Sequence, residues 1–133
     1  MILEGQIVLF RFPQTDQVGR GLRPAVLVRR LPGRYDDWLI CMVSTRLHQE
    51  VAGTDVIIRD SDPDFSATGL KATSLVRVTR LAVVAPEALQ GTIGQVGEGR
   101  LATIRMRISR WILGGPTTLE GEEKDRGRTS AST

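Results

Sequence analysis

Residues 5–12 read as an extended strand, with Ile7, Leu9 and Arg11 on one side of the chain and Val8, Phe10 and Phe12 on the other. A strand with apolar residues on both sides predicts cover on both faces. Pro13 ends it, and residues 14–22, with Gly19 and Gly21, form a polar, flexible connection to the β-branched run at 25–28. Pro32-Gly33 marks the next turn, and residues 38–43 are a continuous apolar run of buried-strand length. Further strands are predicted at 55–59, 74–80 and 81–84. Between two of them, residues 60–71 hold Asp60, Asp62, Pro63, Asp64 and Gly69, a composition that predicts a mobile surface loop rather than a packed element. The period then changes: Leu101, Ile104, Ile108, Trp111 and Ile112 recur at helical spacing, with arginines on the other faces. Gly114-Gly115-Pro116 stops that amphipathic helix. Short strands followed by one terminal helix predict a small, strongly bent sheet or barrel with the helix packed on it.

The chain's 133 residues leave room for one core, so residues 1–115 are read as a single domain. Residues 116–133 are rich in Thr, Ser, Gly and charge, with Leu119 the single aliphatic residue, and are expected to be a disordered polar tail. No apolar run approaches the roughly 20 residues of a membrane span, and the alternating start does not resemble a signal peptide, which points to a cytoplasmic protein. Cys41 is the single cysteine, set among Leu39, Ile40, Met42 and Val43, so it reads as a buried thiol more readily than as a nucleophile.

Charge adds one further indication. The formal net charge is only +3, but residues 116–133 carry four acids and three bases, which leaves +4 on the preceding residues. Sixteen of the eighteen basic residues are arginines, whose planar forks suit phosphate recognition, although an Arg-rich codon bias accounts for the ratio equally well.

Four ordered stretches carry a more specific signal. They are the segment from Gly5 to Pro13 with Thr15-Asp16 and Arg23-Pro24-Ala25-Val26-Leu27-Val28; Val43-Ser44-Thr45-Arg46-Leu47-His48; Gly69-Leu70-Lys71 ahead of Ser74-Leu75-Val76-Arg77-Val78; and a closing strand and helix between Leu89 and Ile112. In wording and spacing they resemble the PemK/MazF-like toxins over about residues 4–113. The resemblance implies a mainly β fold, an SH3-like small β-barrel (PemK/CcdB-like) with a C-terminal amphipathic helix. It also implies a homodimer whose shared surface binds RNA, metal-independent cleavage of single-stranded RNA at short sequences, and a cognate antitoxin. No cofactor, metal or membrane is part of that expectation.

Metal-free RNA cleavage needs a base for the 2′-OH proton, donors for charge developing on phosphorus and an acid for the departing 5′-oxygen; it leaves a 2′,3′-cyclic phosphate. By register with the family, Arg23 corresponds to the catalytic arginine, and its fork could hold two phosphate oxygens. Ser44 and Thr45 match the hydroxyl pair, which could equally serve as a strand-end turn. Arg77 matches the arginine of the later strand motif, while Asp16 and His48 are the candidate proton-transfer groups. Arg20, Arg46 and Thr79 are candidate RNA contacts. Thr79 stands where some members carry aspartate, and Gln17 and Val18 where some carry histidine or glutamate. These departures support a rival reading, a catalytically impaired barrel that binds RNA or a protein partner.

Overall fold

The computed structural model describes residues 2–11 and 21–115. Six antiparallel strands form one sheet: β1 (Gln6–Arg11), β2 (Leu22–Arg30), β3 (Trp38–Ser44), β4 (Val56–Ile58), β5 (Ser74–Val84) and β6 (Leu89–Gln95). Helix α1 (Phe65–Thr68) precedes β5, and α2 (Glu98–Ile112) closes the described chain. The mainly β class with a terminal helix agrees with expectation. The sheet itself is open, in the order β4-β5-β3-β2-β1-β6, so the barrel is not closed by strand pairing.

The alternation in the sequence becomes two cores. Ile7, Val26, Val28, Cys41, Val43, Val76 and Val78 face α2, which contributes Leu101, Ile104 and Ile108. Val8, Phe10, Ala25, Leu27, Trp38, Ile40 and Met42 face the other way, under Ile2, Ala82, Val84, Ala88 and Leu89. The central strands are thus covered on both sides, which explains why residues 38–43 carry no polar alternation.

Residues 74–80 and 81–84, expected as two strands, form one. The break signalled by Arg80 is instead an irregularity of register: Cys41 pairs with Leu81, but Met42 pairs with Arg77. A bend of this kind leaves ladder groups without strand partners. Buried Asp55 supplies one, accepting from the Val78 N–H at 3.2 Å through Oδ1 and from the Val51 N–H at 2.9 Å through Oδ2.

The acidic stretch departs most from expectation. Two of its three aspartates, Asp62 and Asp64, are structural ligands of one arginine rather than part of a solvated run. Arg100 donates from Nε and Nη2 to both oxygens of Asp64 (3.0 and 2.8 Å), from Nη2 to Asp62 (3.1 Å) and from Nη1 to the Ile57 carbonyl (3.0 Å). The guanidinium holds the Asp64 carboxyl below its ordinary value of 3.8. The clamp is therefore at full strength above that value and is lost only as pH falls through the lowered folded one. Thr68 is fully buried, its hydroxyl donating to the Phe65 carbonyl at 2.6 Å and accepting from the Leu70 N–H at 3.2 Å. Gly69 then takes a left-handed conformation (φ 72°) that ends α1.

Two glycines let α1 lie directly on β6. A Cβ at Gly69 would overlap the Ile93 carbonyl, and one at Gly94 would overlap the backbone of Ala67 and Thr68. Backbone against backbone, α1 packs on the end strand β6 of the open sheet. The expectation of a surface loop without a packed element at residues 60–71 is corrected accordingly: pattern reasoning counted its charges but could not see the partner of Asp62 and Asp64, Arg100, far along the chain.

Gly94→Ala should therefore destabilise the fold by about 2–3 kcal/mol, the upper range for overpacking. Gly99→Ala, with open space at its Cβ, should be neutral or stabilising by up to about 1 kcal/mol through helix propensity. Denaturant midpoints of the two variants measure this directly, and equal midpoints would contradict the close approach.

Candidate RNA-binding and cleavage site

A cleft of about 640 Å³ opens where β2 begins, β3 ends and the chain leaves α1. Leu9, Val43, Leu70 and Ile93 give it an apolar lining, while Arg23, Ser44, Thr45, Arg46 and Lys71 supply its polar groups. The α1 contact with β6 fixes Gly69, Leu70 and Lys71 there.

Strand register explains the convergence. Ala25 pairs with Met42 at the end of the β2–β3 ladder, and Arg23 and Ser44 each lie two residues beyond that pair. Arg23 also pairs with Phe10 of β1, and Ser44 with Leu75 of β5. Residues two apart on a strand share a face, which places Arg23, Ser44 and Arg77 on one side of the sheet. Arg23 is exposed, and β3 ends at half-buried Ser44. The Ser44 Oγ accepts from the Arg46 N–H at 3.0 Å, so the serine does cap a turn; its hydroxyl proton remains available to an incoming acceptor. Thr45 and Arg46 follow, both exposed.

Beyond that turn, Leu47–Gln49 form a single 3-10 turn carrying exposed His48. It folds back onto β5, where half-buried Arg77 donates from Nη1 to Gln49 Oε1 at 2.8 Å. Arg77 does not line the cleft itself. Its Cα partner Met42 is two residues from Ser44, and diagonal neighbours of this kind lie about 7–8 Å apart, within reach of a long side chain. Thr79, two residues further along β5, is half-buried and outside the cleft lining. Asp16 and Arg20 lie outside the described residues.

The electrostatics separate structural cations from available ones. Among the described residues, Arg29 and Arg105 meet Glu4, Arg30 meets Asp36, and Arg100 meets Asp62 and Asp64. The Glu4 carboxyl is held below its ordinary value by the Arg30 backbone N–H, with Arg105 assisting. No described carboxylate lies within ion-pair distance of Arg23, Arg46, Lys71 or Arg77, and none lines the cleft. Apolar lining with unneutralised cations suits an anionic chain whose bases can leave water. Among the described residues no group of three or more His, Cys, Asp or Glu side chains could hold a metal ion, and no helix is long and apolar enough to cross a membrane.

A family model described as the PemK-like, MazF-like toxin of type II toxin-antitoxin systems matches residues 3–112. The chain belongs to this toxin family. Its fold resembles that of the Mycobacterium tuberculosis toxin MazF-mt6, at 14% identity and a TM-score of 0.60, over 84% of this chain and 98% of that one. It also resembles a mycobacterial endoribonuclease solved with its cognate antitoxin (19% identity, TM-score 0.59, 87% and 98% covered). A third likeness is MazF from Deinococcus radiodurans (19% identity, TM-score 0.59, 84% and 94% covered). At such identities these three establish the shared fold. No curated protein matches the chain in sequence.

Sequence reasoning did not select Gln49 or Lys71 as site residues. Lys71 was visible within the Gly69-Leu70-Lys71 motif, but only the fold brings it to Arg23. Gln49 carries no charge and no motif, so nothing in the sequence marked it.

Cys41 is fully buried, and desolvation pushes its thiol up to about 12. Native protein at pH 8 should thus resist iodoacetamide and react only after denaturation. Rapid alkylation of the folded protein would contradict this burial.

Proposed function

We propose that this toxin is a metal-independent endoribonuclease that cleaves single-stranded RNA at short sequences by attack of the 2′-OH, leaving a 2′,3′-cyclic phosphate. The observation that carries the reading is the gathering of Arg23, Ser44, Thr45, Arg46 and Lys71 around one cleft without a described carboxylate to neutralise them. The nucleophile belongs to the substrate, so the protein's task is to bind the phosphate, stabilise its developing charge and move two protons.

Arg23 holds the non-bridging oxygens with its planar fork. The hydroxyls of Ser44 and Thr45 donate to the same phosphate, and Arg77 adds positive charge from the side of β5. His48, exposed on the turn beside Gln49, serves as a proton-transfer group, with Asp16 as the second candidate. Arg20, Arg46 and Lys71 bind flanking phosphates. The toxin acts as a homodimer and is neutralised by a protein antitoxin, a reading supported by the family and by the mycobacterial relative solved with its antitoxin.

One observation favours a second reading. Thr79 offers no carboxylate beside Arg77, and no acid lines the cleft among the described residues, as in a barrel that binds RNA without an effective base.

Arg23→Ala should leave the fold intact, because the residue is exposed, and should lower cleavage by about two to three orders of magnitude, as for a deleted transition-state donor. Arg23→Lys should restore only part, since a point charge does not reproduce the fork. Single-turnover cleavage of a long mixed-sequence RNA with EDTA present measures both. A well-folded Arg23→Ala protein cleaving at the wild-type rate would remove Arg23 from the mechanism.

A further inference from the structure

We propose that Gln49 is the positioning residue for Arg77, holding its guanidinium in place while leaving its charge undiminished for an RNA phosphate; this rests on the reading of Arg77 given above. Four described arginines are half-buried: Arg77, Arg100, Arg105 and Arg107. Arg100 and Arg105 are anchored by carboxylates and Arg107 by the Asp55 carbonyl. Arg77 is the one anchored by a neutral side chain, with Nη1 donating to Gln49 Oε1 at 2.8 Å. A half-buried guanidinium without any partner would sample several rotamers, and one paired with a carboxylate would present little net charge. An amide oxygen orders the group at no electrostatic cost to ligand binding.

The chemistry also fixes the orientation of the amide. A guanidinium only donates, so the atom facing Arg77 must be the amide oxygen, and the NH₂ of Gln49 is turned away from that contact. The pair therefore keeps the remaining guanidinium N–H groups and the Gln49 NH₂ as donors for an approaching anion and adds no negative charge. The same hydrogen bond ties the Leu47–Gln49 turn to β5, which sets the position of His48 relative to the sheet.

The decisive variant is Gln49→Glu. It is isosteric and keeps an acceptor for Arg77, so a purely structural role predicts unchanged or increased stability and unchanged activity. A role in keeping the charge available predicts a different outcome: thermal stability at least equal to wild type, with RNA cleavage lowered roughly ten- to a hundredfold, the factor that a lost hydrogen bond to a charged group represents. Binding is read separately with a mixed-sequence single-stranded DNA pool, which lacks the 2′-OH. The slope of log K against log salt should shrink by about 0.7, one single-strand phosphate contact, in both Gln49→Glu and Arg77→Ala. Gln49→Met, which keeps length but removes the acceptor, should lower cleavage with little change in that slope.

Wild-type cleavage and slope in Gln49→Glu, alongside an impaired Arg77→Ala, would overturn the inference and leave the assignment of Arg77 standing. If Arg77→Ala itself matched wild type in both measurements, the assignment of Arg77 would fall and the inference with it. A wild-type protein that binds the DNA pool but leaves RNA intact would overturn the endonuclease reading alone, and the salt slopes would still decide the role of Gln49.

Discussion

The close approach of α1 to β6 is the constraint on which the rest of the molecule depends. An open six-stranded sheet leaves a gap between its end strands β4 and β6. Here four residues of helix lie directly on end strand β6, possible because Gly69 and Gly94 have no side chains at the contact. Arg100 secures the arrangement from α2 by gathering Asp62, Asp64 and the Ile57 carbonyl around one guanidinium. Hydrogen bonds to ionised groups in a partly buried place are among the stronger available to a small domain, and this set ties together β4, α1 and α2.

From that closure follows the site. The chain leaving α1 delivers Leu70 and Lys71 to the cleft where β2 starts and β3 ends. Acids elsewhere in the fold are engaged by other arginines, Asp62 and Asp64 with Arg100, and Glu4 with Arg29 and Arg105. What remains at the cleft is cationic and apolar. A modest formal charge of +3 thus becomes a locally positive surface through pairing rather than through an excess of bases.

Much of this was legible in the chain. Strands that alternate or run continuously apolar, such as residues 38–43, announced themselves by period, and α2 by the spacing of Leu101, Ile104 and Ile108. Arg23, Ser44 and Thr45 could be selected because their motifs are local, and the structure brings them to one cleft. What stayed hidden was everything that depends on distant partners. Asp62 and Asp64 look like solvated loop charges until Arg100 is placed beside them. Asp55 looks like a strand residue until the bend in β5 shows the Val78 N–H that it accepts. Gln49 acquires meaning only through a contact 28 residues away. Local patterns report on elements, whereas pairing of charges and orphaned backbone groups is a property of the closed fold.

The proposed activity is RNA cleavage at a cleft of unneutralised cations, with the attacking hydroxyl supplied by the substrate. The most direct test incubates the purified protein, with EDTA present, with a long mixed-sequence single-stranded RNA and with DNA of the same sequence, and then determines the new 3′ ends. The expected result is RNA fragments ending in 2′,3′-cyclic phosphate and intact DNA. Intact RNA, cleaved DNA or fragments ending in 3′-hydroxyl would contradict it.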